Sequence, residues 1–286
     1  MPSAVIACPL VEELNASARH HRIIANGIAV HWCEWGHGKP LVLLHGGHGS
    51  WMHWARNVQA LAQHYRVLVP DMPGFGDSED FAMPPHDPSR LEALLQALEG
   101  SLTALIHQQH FYLAGFSFGG AMAGLLAARM PRVDRLILLG SGGHGGPRRE
   151  KAPQLNWRVE DPQARAAALR QNLAVFMLSG EEAIDEEAIH IHTASCEATR
   201  FRSKGISRNA VLPEALQTYD RPLLLVWGEE DVTAVPMEAA ERLQQGRPER
   251  DWTIISNAGH WVQYERPDAV NALMLRWLGD HAIQSA

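Results

Sequence analysis

Apolar residues in this chain fall into short continuous runs, separated by longer stretches with helical spacing. The runs predicted as buried strands are residues 41–44, 67–69, 111–114, 136–139, 223–226 and 252–255. Because they are continuous rather than alternating, both faces of each strand should be covered, as in a mostly parallel sheet between helices. Helical spacing is found at 51–64, 89–108, 119–129, 237–245 and 267–278. The pattern predicts an α/β fold with helices on both faces of the sheet.

Two segments depart from this rhythm. Asn26-Gly27 separates the apolar runs 23–25 and 28–32, and this dipeptide is a strong signal for a two-residue β-hairpin turn. Between residues 140 and 213 there is no strand pattern, but amphipathic helical patterns occur at 161–178 and 181–202. We therefore predict a core domain at residues 20–140 and 214–286, with a helical cap inserted at 141–213.

Size and charge exclude several classes of protein. The 286 residues suit one large α/β domain with an inserted subdomain, and 46% hydrophobic with 20% charged residues is ordinary for a globular chain. The net charge of −7 comes without a basic stripe, so we expect no nucleic-acid partner. No run approaches the roughly 18 apolar residues of a membrane helix, so we expect no membrane partner.

The cysteines and the first residues of the chain indicate the cellular compartment. Cys8, Cys33 and Cys196 are an odd number without metal-type spacing, which favours free thiols in a reducing compartment. Residues 1–10 lack the basic and apolar regions of a secretion signal. We predict a cytoplasmic protein.

The strongest chemical signal is Gly115-Phe116-Ser117-Phe118-Gly119, which follows the predicted strand at 111–114 and opens a helix of small residues. A serine on a tight strand-to-helix turn needs neighbours without bulk, and glycines stand two positions to either side. A chance match in a glycine-rich loop is the alternative. The strand before it and the helix after it favour a nucleophilic serine.

A serine nucleophile needs a base, and 16 histidines make residue type alone uninformative. His260 follows the last predicted strand, at the sheet edge where the serine should lie. Asp231 follows the preceding strand, so the order Ser117, Asp231, His260 matches that of a hydrolase triad. Glu230 is the rival acid, and the spacing from Gly228 favours Asp231.

An oxyanion hole requires two backbone donors. The amide that follows the nucleophile, that of Phe118, should be one of them. The second should come from the glycine-rich loop after strand 41–44, where we select Gly47 and expect Gly46 beside the substrate. His45 and His48 in the same loop should hydrogen-bond the loop rather than transfer protons.

These motifs together resemble the α/β-hydrolase superfamily. The resemblance rests on residues 43–49, 70–78, 115–120, 228–231 and 259–260, and extends from about residue 23 to 278. Residues 259–265, with Trp261 after His260, look most similar to the meta-cleavage product hydrolases. That family cleaves a carbon–carbon bond in vinylogous 1,5-diketones. The resemblance implies an α/β-hydrolase fold, a cap and a catalytic triad, and it also suggests a homodimer.

The chain departs from that family at substrate-binding positions. Family members usually carry asparagine before the nucleophile and methionine after it, where this chain has Phe116 and Phe118. Their cap arginine, which holds the substrate carboxylate, aligns with His192. Arg158, Arg200 and Arg202 are the alternative anchors.

Three functions remain open at this point. The first is hydrolysis of a small apolar ester or related carbonyl substrate, with Gly46, Phe116, His192 and Trp261 lining the substrate site. The second is carbon–carbon bond hydrolysis of meta-cleavage products, and the third is a non-catalytic ligand binder with this fold. We expect a small-molecule substrate, no cofactor and no metal, because His190 and His192 would not share a helix face.

Overall fold

A computed structural model describes residues 8–149 and 153–279. Its strands are β1 Arg19–Ala25, β2 Ile28–Trp35, β3 Pro40–Leu44, β4 Arg66–Asp71, β5 Phe111–Phe116, β6 Val133–Leu139, β7 Leu223–Gly228 and β8 Arg250–Ile255. These eight strands form one sheet in the order β1-β2-β4-β3-β5-β6-β7-β8. Strand β2 is antiparallel to β1 and β4, and the other neighbouring pairs are parallel. The predicted mostly parallel sheet is therefore confirmed.

The hairpin predicted at Asn26-Gly27 joins β1 to β2. Both turn residues have positive φ, 51° for Asn26 and 76° for Gly27, and Ala25 pairs directly with Ile28. Positive φ at both central residues matches the right-handed twist of the strands, which is why asparagine and glycine are favoured there. Residues 1–7, most of the segment considered as a secretion signal, lie outside the described part of the chain.

Helices cover both faces of the sheet, as the continuous apolar runs predict. In β3, Val42 and Leu44 belong to one hydrophobic cluster, while Leu41 and Leu43 belong to the cluster on the opposite face. No helix of the described residues is both long and apolar enough to cross a bilayer. The core helices are α1 Pro9–Ser17, α2 Ala55–Ala62, α3 Arg90–Ile106, α4 Phe118–Arg129, α9 Pro236–Gln244, α10 Val262–Glu265 and α11 Pro267–Leu278, and a 3-10 turn at Trp51–Trp54 precedes α2.

The region predicted as a cap is helical, but its helices are shorter than the sequence pattern suggests. It holds α5 Pro162–Asn172, a π-turn at Leu173–Met177, a 3-10 turn at Glu181–Ala183, α6 Glu186–Glu197, α7 Lys204–Arg208 and α8 Val211–Ala215, followed by a 3-10 turn at Leu216–Thr218. The stretch 181–202 is broken because Asp185 caps the start of α6 by accepting a hydrogen bond from the Ala188 amide (2.8 Å).

The last part of the predicted cap lies on the core. Helices α7 and α8 pack against α4, and a side chain at Gly124 of α4 would collide with Leu212 of α8. The domain boundaries at 141 and 213 stay a prediction.

Candidate active site

Ser117 lies at the turn between β5 and α4. Its backbone has φ 54° and ψ −116°, a conformation that side-chain-bearing residues rarely adopt. The Ser117 amide donates to the Leu139 carbonyl (2.9 Å), and its carbonyl accepts from the Gly142 amide (2.9 Å). These bonds to β6 and the loop after it hold the strained turn in place.

The glycines flanking Ser117 are required by close backbone contacts. A Cβ atom at Gly115 would meet the carbonyl oxygen of Gly119, and one at Gly119 would meet the carbonyl oxygens of Leu44 and His45. The helix N-terminus can therefore approach β3 and its following loop only without side chains at these positions. The spacing that predicted a nucleophile turn has a steric cause.

His260 and Asp231 converge on Ser117 from loops after β8 and β7. The Nε2 atom of His260 lies 2.9 Å from the Ser117 hydroxyl oxygen, and its Nδ1 atom lies 2.9 Å from Oδ2 of Asp231. A carboxylate only accepts, so Nδ1 carries the proton and Nε2 presents its lone pair to the serine. The rival acid Glu230 is instead exposed, and its Oε2 atom lies 3.6 Å from a guanidinium nitrogen of Arg149.

The carboxylate of Asp231 is fully buried and held by more than one donor. Its Oδ1 atom accepts hydrogen bonds from the amide (2.7 Å) and hydroxyl (2.8 Å) of Thr233. Burial would raise the pKa of Asp231, but the His260 charge and the hydrogen bonds from His260 and Thr233 outweigh it and lower the pKa. Asp231 therefore stays ionised beside the histidine it orients.

The two predicted oxyanion donors lie next to each other. A Cβ atom at Gly47 would be 3.6 Å from Cβ of Phe118, so the loop after β3 runs past the start of α4. The amide of Gly46 is committed to Nδ1 of His53 (3.2 Å). This commitment leaves Gly47, rather than Gly46, as the loop residue suited to stabilise an oxyanion.

Buried neutral histidines support that loop. The Nδ1 atom of His45 donates to the Gly46 carbonyl (2.8 Å), and its Nε2 atom accepts from the Met72 amide (3.0 Å). Burial lowers the pKa of His45 and holds that of His53 well below its ordinary value, and burial also lowers the pKa of His48 to about 4. The hydrogen bonds of His45 are those of a structural residue, as predicted.

Phe116 and Trp261, two of the predicted substrate contacts, are fully buried. The ring of Phe116 packs 4.9 Å from the ring of His260, between centroids, and Trp261 stacks on Tyr264 at 4.2 Å. The indole Nε1 of Trp261 donates to the His53 carbonyl (3.1 Å). Phe116 thus packs against the base and Trp261 against His53 and Tyr264, and contact of either ring with a substrate stays a prediction.

His192, the residue at the aligned position of the family's cap arginine, is buried in α6. Its Nε2 atom lies 3.7 Å from Sγ of Cys196 on the same helix. Burial, together with the charge of neighbouring His48, lowers the pKa of His192 to about 4. At neutral pH this position therefore carries no positive charge.

Three residues near the catalytic groups were not predicted from the sequence. The ring of Phe176, in the π-turn, lies edge-on to that of His260, with 5.4 Å between centroids. Ser203 presents its hydroxyl to the position where Gly47 would carry a Cβ atom. Glu265 links the cap region to the loop that carries His260. Its carboxylate accepts hydrogen bonds from the Ser179 amide (2.8 Å) and from the Gly259 amide (2.5 Å). All three depend on how the cap packs, for which the sequence carries no local signal.

A separate cavity of about 560 Å³ opens beside the cap helices, and no residue of the triad lines it. Among the described residues, two groups of metal-ligating atoms lie close together near the hairpin: His20, His31 and Cys33, and His31, Asp71 and Asp77. Neither group includes a triad residue. The cavity lining consists of Trp157, Arg158, Val159, Glu160, Arg165, Glu197 and Thr199.

Comparison with known proteins supports the hydrolase chemistry that the triad geometry indicates. A family model described as the alpha/beta hydrolase family matches residues 41–273. A 2-hydroxy-6-oxononadienedioate/2-hydroxy-6-oxononatrienedioate hydrolase of Paraburkholderia phymatum is 31% identical over 92% of this chain and 96% of its own.

Solved structures share the fold. A meta-cleavage product hydrolase from Pseudomonas fluorescens superposes with a TM-score of 0.71 at 24% identity, covering 90% of this chain and 97% of its own. A naproxen esterase from Bacillus subtilis superposes with a TM-score of 0.72 at 20% identity, covering 95% of this chain and 96% of its own. At these identities the likeness extends to the fold alone, and both ester and carbon–carbon hydrolases are built on it.

Proposed function

The chain belongs to the alpha/beta hydrolase family, and from this premise we propose a serine hydrolase in which Ser117 is the nucleophile, His260 the general base and Asp231 the orienting acid. The observation that carries the proposal is the hydrogen-bonded line from Asp231 through His260 to Ser117, with 2.9 Å at each step. Such a line activates a hydroxyl that is otherwise a weak nucleophile.

In the first half of the reaction, the Ser117 oxygen attacks the substrate carbonyl while Nε2 of His260 takes the hydroxyl proton. The Gly47 and Phe118 amides stabilise the oxyanion that forms on the carbonyl oxygen. His260 then gives its proton to the leaving alcohol, and an acyl-enzyme on Ser117 remains.

In the second half, water attacks the acyl-enzyme and His260 takes a proton from it. As the second oxyanion collapses, the Ser117 oxygen leaves with the proton from His260, and the acid is released. The buried carboxylate of Asp231 stabilises the imidazolium in both halves, without itself taking the proton.

For the substrate, we propose a small, neutral, apolar ester. His192 supports this because burial lowers its pKa to about 4, so it offers no charge to a substrate carboxylate at neutral pH. The partly exposed ring of Phe176 lies edge-on to His260 and supplies apolar surface beside the reacting atoms.

Carbon–carbon hydrolysis is the second candidate, and the 31% identity to a hydrolase of that kind favours it. It requires a cationic anchor for a dienoate substrate. Arg200 donates to the Ala198, Gly76 and Ser78 carbonyls, which occupies its guanidinium. Arg202 is exposed, while Arg158 lines the cap cavity and is the best candidate anchor of the three.

We further propose that the protein works in a reducing compartment, the cytoplasm, because Cys8, Cys33 and Cys196 are buried free thiols. The homodimer suggested by the family resemblance stays a prediction to be tested by light scattering.

The test is a steady-state panel on purified protein. It compares p-nitrophenyl esters of increasing acyl length with a vinylogous 1,5-diketone ring-fission product, for the wild type and Ser117→Ala. Arg158→Gln is the matched probe for a carboxylate anchor, since it changes the charge of a cap residue without touching the triad.

Ester turnover that is lost in Ser117→Ala and unchanged in Arg158→Gln supports the ester proposal. Dominant diketone cleavage with a raised KM in Arg158→Gln overturns it in favour of the carbon–carbon hydrolase. Ligand binding with no turnover of either substrate class overturns both in favour of a non-catalytic binder.

A further inference from the structure

Three metal-ligating side chains meet on one face of the β1–β2 hairpin. His20 pairs directly with Cys33 across the two strands, and His31 lies two residues before Cys33 and therefore on the same face. Nδ1 of His20 is 3.1 Å from Nε2 of His31 and 3.7 Å from Sγ of Cys33. All three ligand atoms lie within 4.8 Å of one another.

These spacings approach those of a tetrahedral zinc site. Zinc binds imidazole nitrogen at about 2.0–2.1 Å and thiolate sulfur at about 2.3 Å, which puts two nitrogens about 3.3 Å apart and nitrogen about 3.6 Å from sulfur. The hairpin distances of 3.1 and 3.7 Å are close to both values. His20 is exposed, so its ring can turn towards an ion and water can supply the fourth ligand.

The outer contacts of the two rings suit their facing nitrogens to an ion. Nε2 of His20 donates to the Asn15 carbonyl (2.9 Å), which leaves Nδ1 as the lone-pair nitrogen. Nδ1 of His31 lies 3.5 Å from Oδ2 of Asp71, so the ring can carry its proton on that side when an ion binds Nε2. Backbone carbonyls and carboxylates are the usual outer partners of metal-bound histidines.

Without an ion, Nε2 of His31 can donate its proton to the lone pair on Nδ1 of His20 at 3.1 Å, and a bound ion would take the place of that proton. The surroundings favour positive charge. Asp71 is buried, and its carboxylate stands behind the ring of His31, with Oδ2 3.5 Å from Nδ1. Cys33 would bind as the thiolate, and its proton would be released to solvent as the cation enters.

We propose that His20, His31 and Cys33 form a binding site for a zinc-class divalent cation, with Asp71 as the outer partner of His31. The soft sulfur and two imidazoles suit zinc or cobalt over magnesium or calcium. This site is independent of the triad. It departs from the sequence analysis, which expected no metal, since its ligands lie on two strands that only the hairpin pairing brings together.

The test is cobalt(II) titration of untagged, chelator-treated protein at neutral pH, followed by zinc competition. Cobalt serves as a spectroscopic probe, because a bound thiolate gives a near-ultraviolet charge-transfer band and four-coordinate cobalt gives intense visible bands. His20→Ala removes an exposed ligand with little risk to folding, and Cys33→Ser removes the thiolate. His21→Ala is the matched control, since His21 is the next residue but bonds Glu34 (2.8 Å) on the other face.

We expect one equivalent of cobalt with a thiolate band in the wild type and in His21→Ala. We expect affinity to fall at least about 100-fold in His20→Ala, in line with the cost of disturbing metal-site partners, and the band to vanish in Cys33→Ser. A wild type without a thiolate band overturns the proposal and leaves an ordinary hydrogen bond between the two rings. A band that survives in His20→Ala and Cys33→Ser also overturns it.

Discussion

The hydroxyl of Thr233 donates a hydrogen bond to Oδ1 of Asp231, at 2.8 Å, the carboxylate oxygen that His260 does not bond. The same hydroxyl lies 3.1 Å from Nδ1 of His260. Thr233 thus contacts both partners of the charge pair that orients the base. Because a hydrogen bond to a buried charge is worth about 1.5–3 kcal/mol, its loss should be measurable in the kinetics.

Thr233→Val should lower kcat by roughly tenfold or more and leave KM nearly unchanged, since one strong bond to Asp231 is lost and each 1.4 kcal/mol is about tenfold. Thr233→Ser keeps the hydroxyl and should retain most of the activity. Steady-state kinetics on the preferred p-nitrophenyl ester check this. Equal activity in the valine and serine variants would mean that the hydroxyl has no part in positioning the acid.

Asp231→Asn should lower kcat by about 10⁴-fold, because an amide favours the wrong tautomer of His260. Glu230→Gln, one residue away, should change kcat by less than about twofold, because its side chain is exposed and faces Arg149. The pair is measured side by side with circular dichroism as a folding control. A large loss in Glu230→Gln with an active Asp231→Asn would transfer the acid role to Glu230.

Buried His192 should make the protein less stable in mild acid. Its pKa is lowered from 6.5 to about 4, so the unfolded chain binds more protons between these values, and the free energy of unfolding falls as pH drops from 6.5 towards 4. A shift of this size amounts to on the order of 3 kcal/mol at the acid end. His192→Phe should lose less stability than the wild type between pH 7 and pH 5.

Urea unfolding at both pH values measures that difference. An identical loss of stability in wild type and His192→Phe would show that His192 titrates normally. That result would also remove the argument that this position is uncharged towards the substrate.

Glu265 should couple the cap segment to the loop that carries His260. Its two oxygens accept from Ser179 and from the Gly259 amide, directly before the base. Glu265→Ala leaves those donors unpaired, at about 1–3 kcal/mol for each one that stays buried, and should lower both Tm and kcat. Glu265→Gln can still accept and should lie between the wild type and the alanine variant.

Calorimetry and steady-state kinetics on the same samples test this coupling. A lower Tm with unchanged kcat in Glu265→Ala would make the residue a structural clamp without influence on His260.

The parts of the site that were predicted from the sequence depend on local chemistry. Ser117 needs glycines at fixed positions beside it, and Asp231 and His260 each follow a strand that ends at the same edge of a parallel sheet. The hairpin at Asn26-Gly27 follows from the positive φ of both residues. Such features leave a pattern over a few neighbouring residues, so one sequence is enough to predict them.

The parts that were missed depend on register and packing between distant segments. Phe176, whose ring contacts that of His260, lies in the π-turn at the end of α5, and no residue pattern indicated this turn. His20 and Cys33 meet because the hairpin places them opposite each other, thirteen residues apart in sequence.

The measurement that tests the central claim most directly is intact mass spectrometry of protein quenched during turnover of a p-nitrophenyl ester. The account predicts an added acyl group on the wild-type chain, mapped by peptide digestion to Ser117 and absent in Ser117→Ala. Undiminished turnover in Ser117→Ala, or an acyl group on another residue, would contradict it.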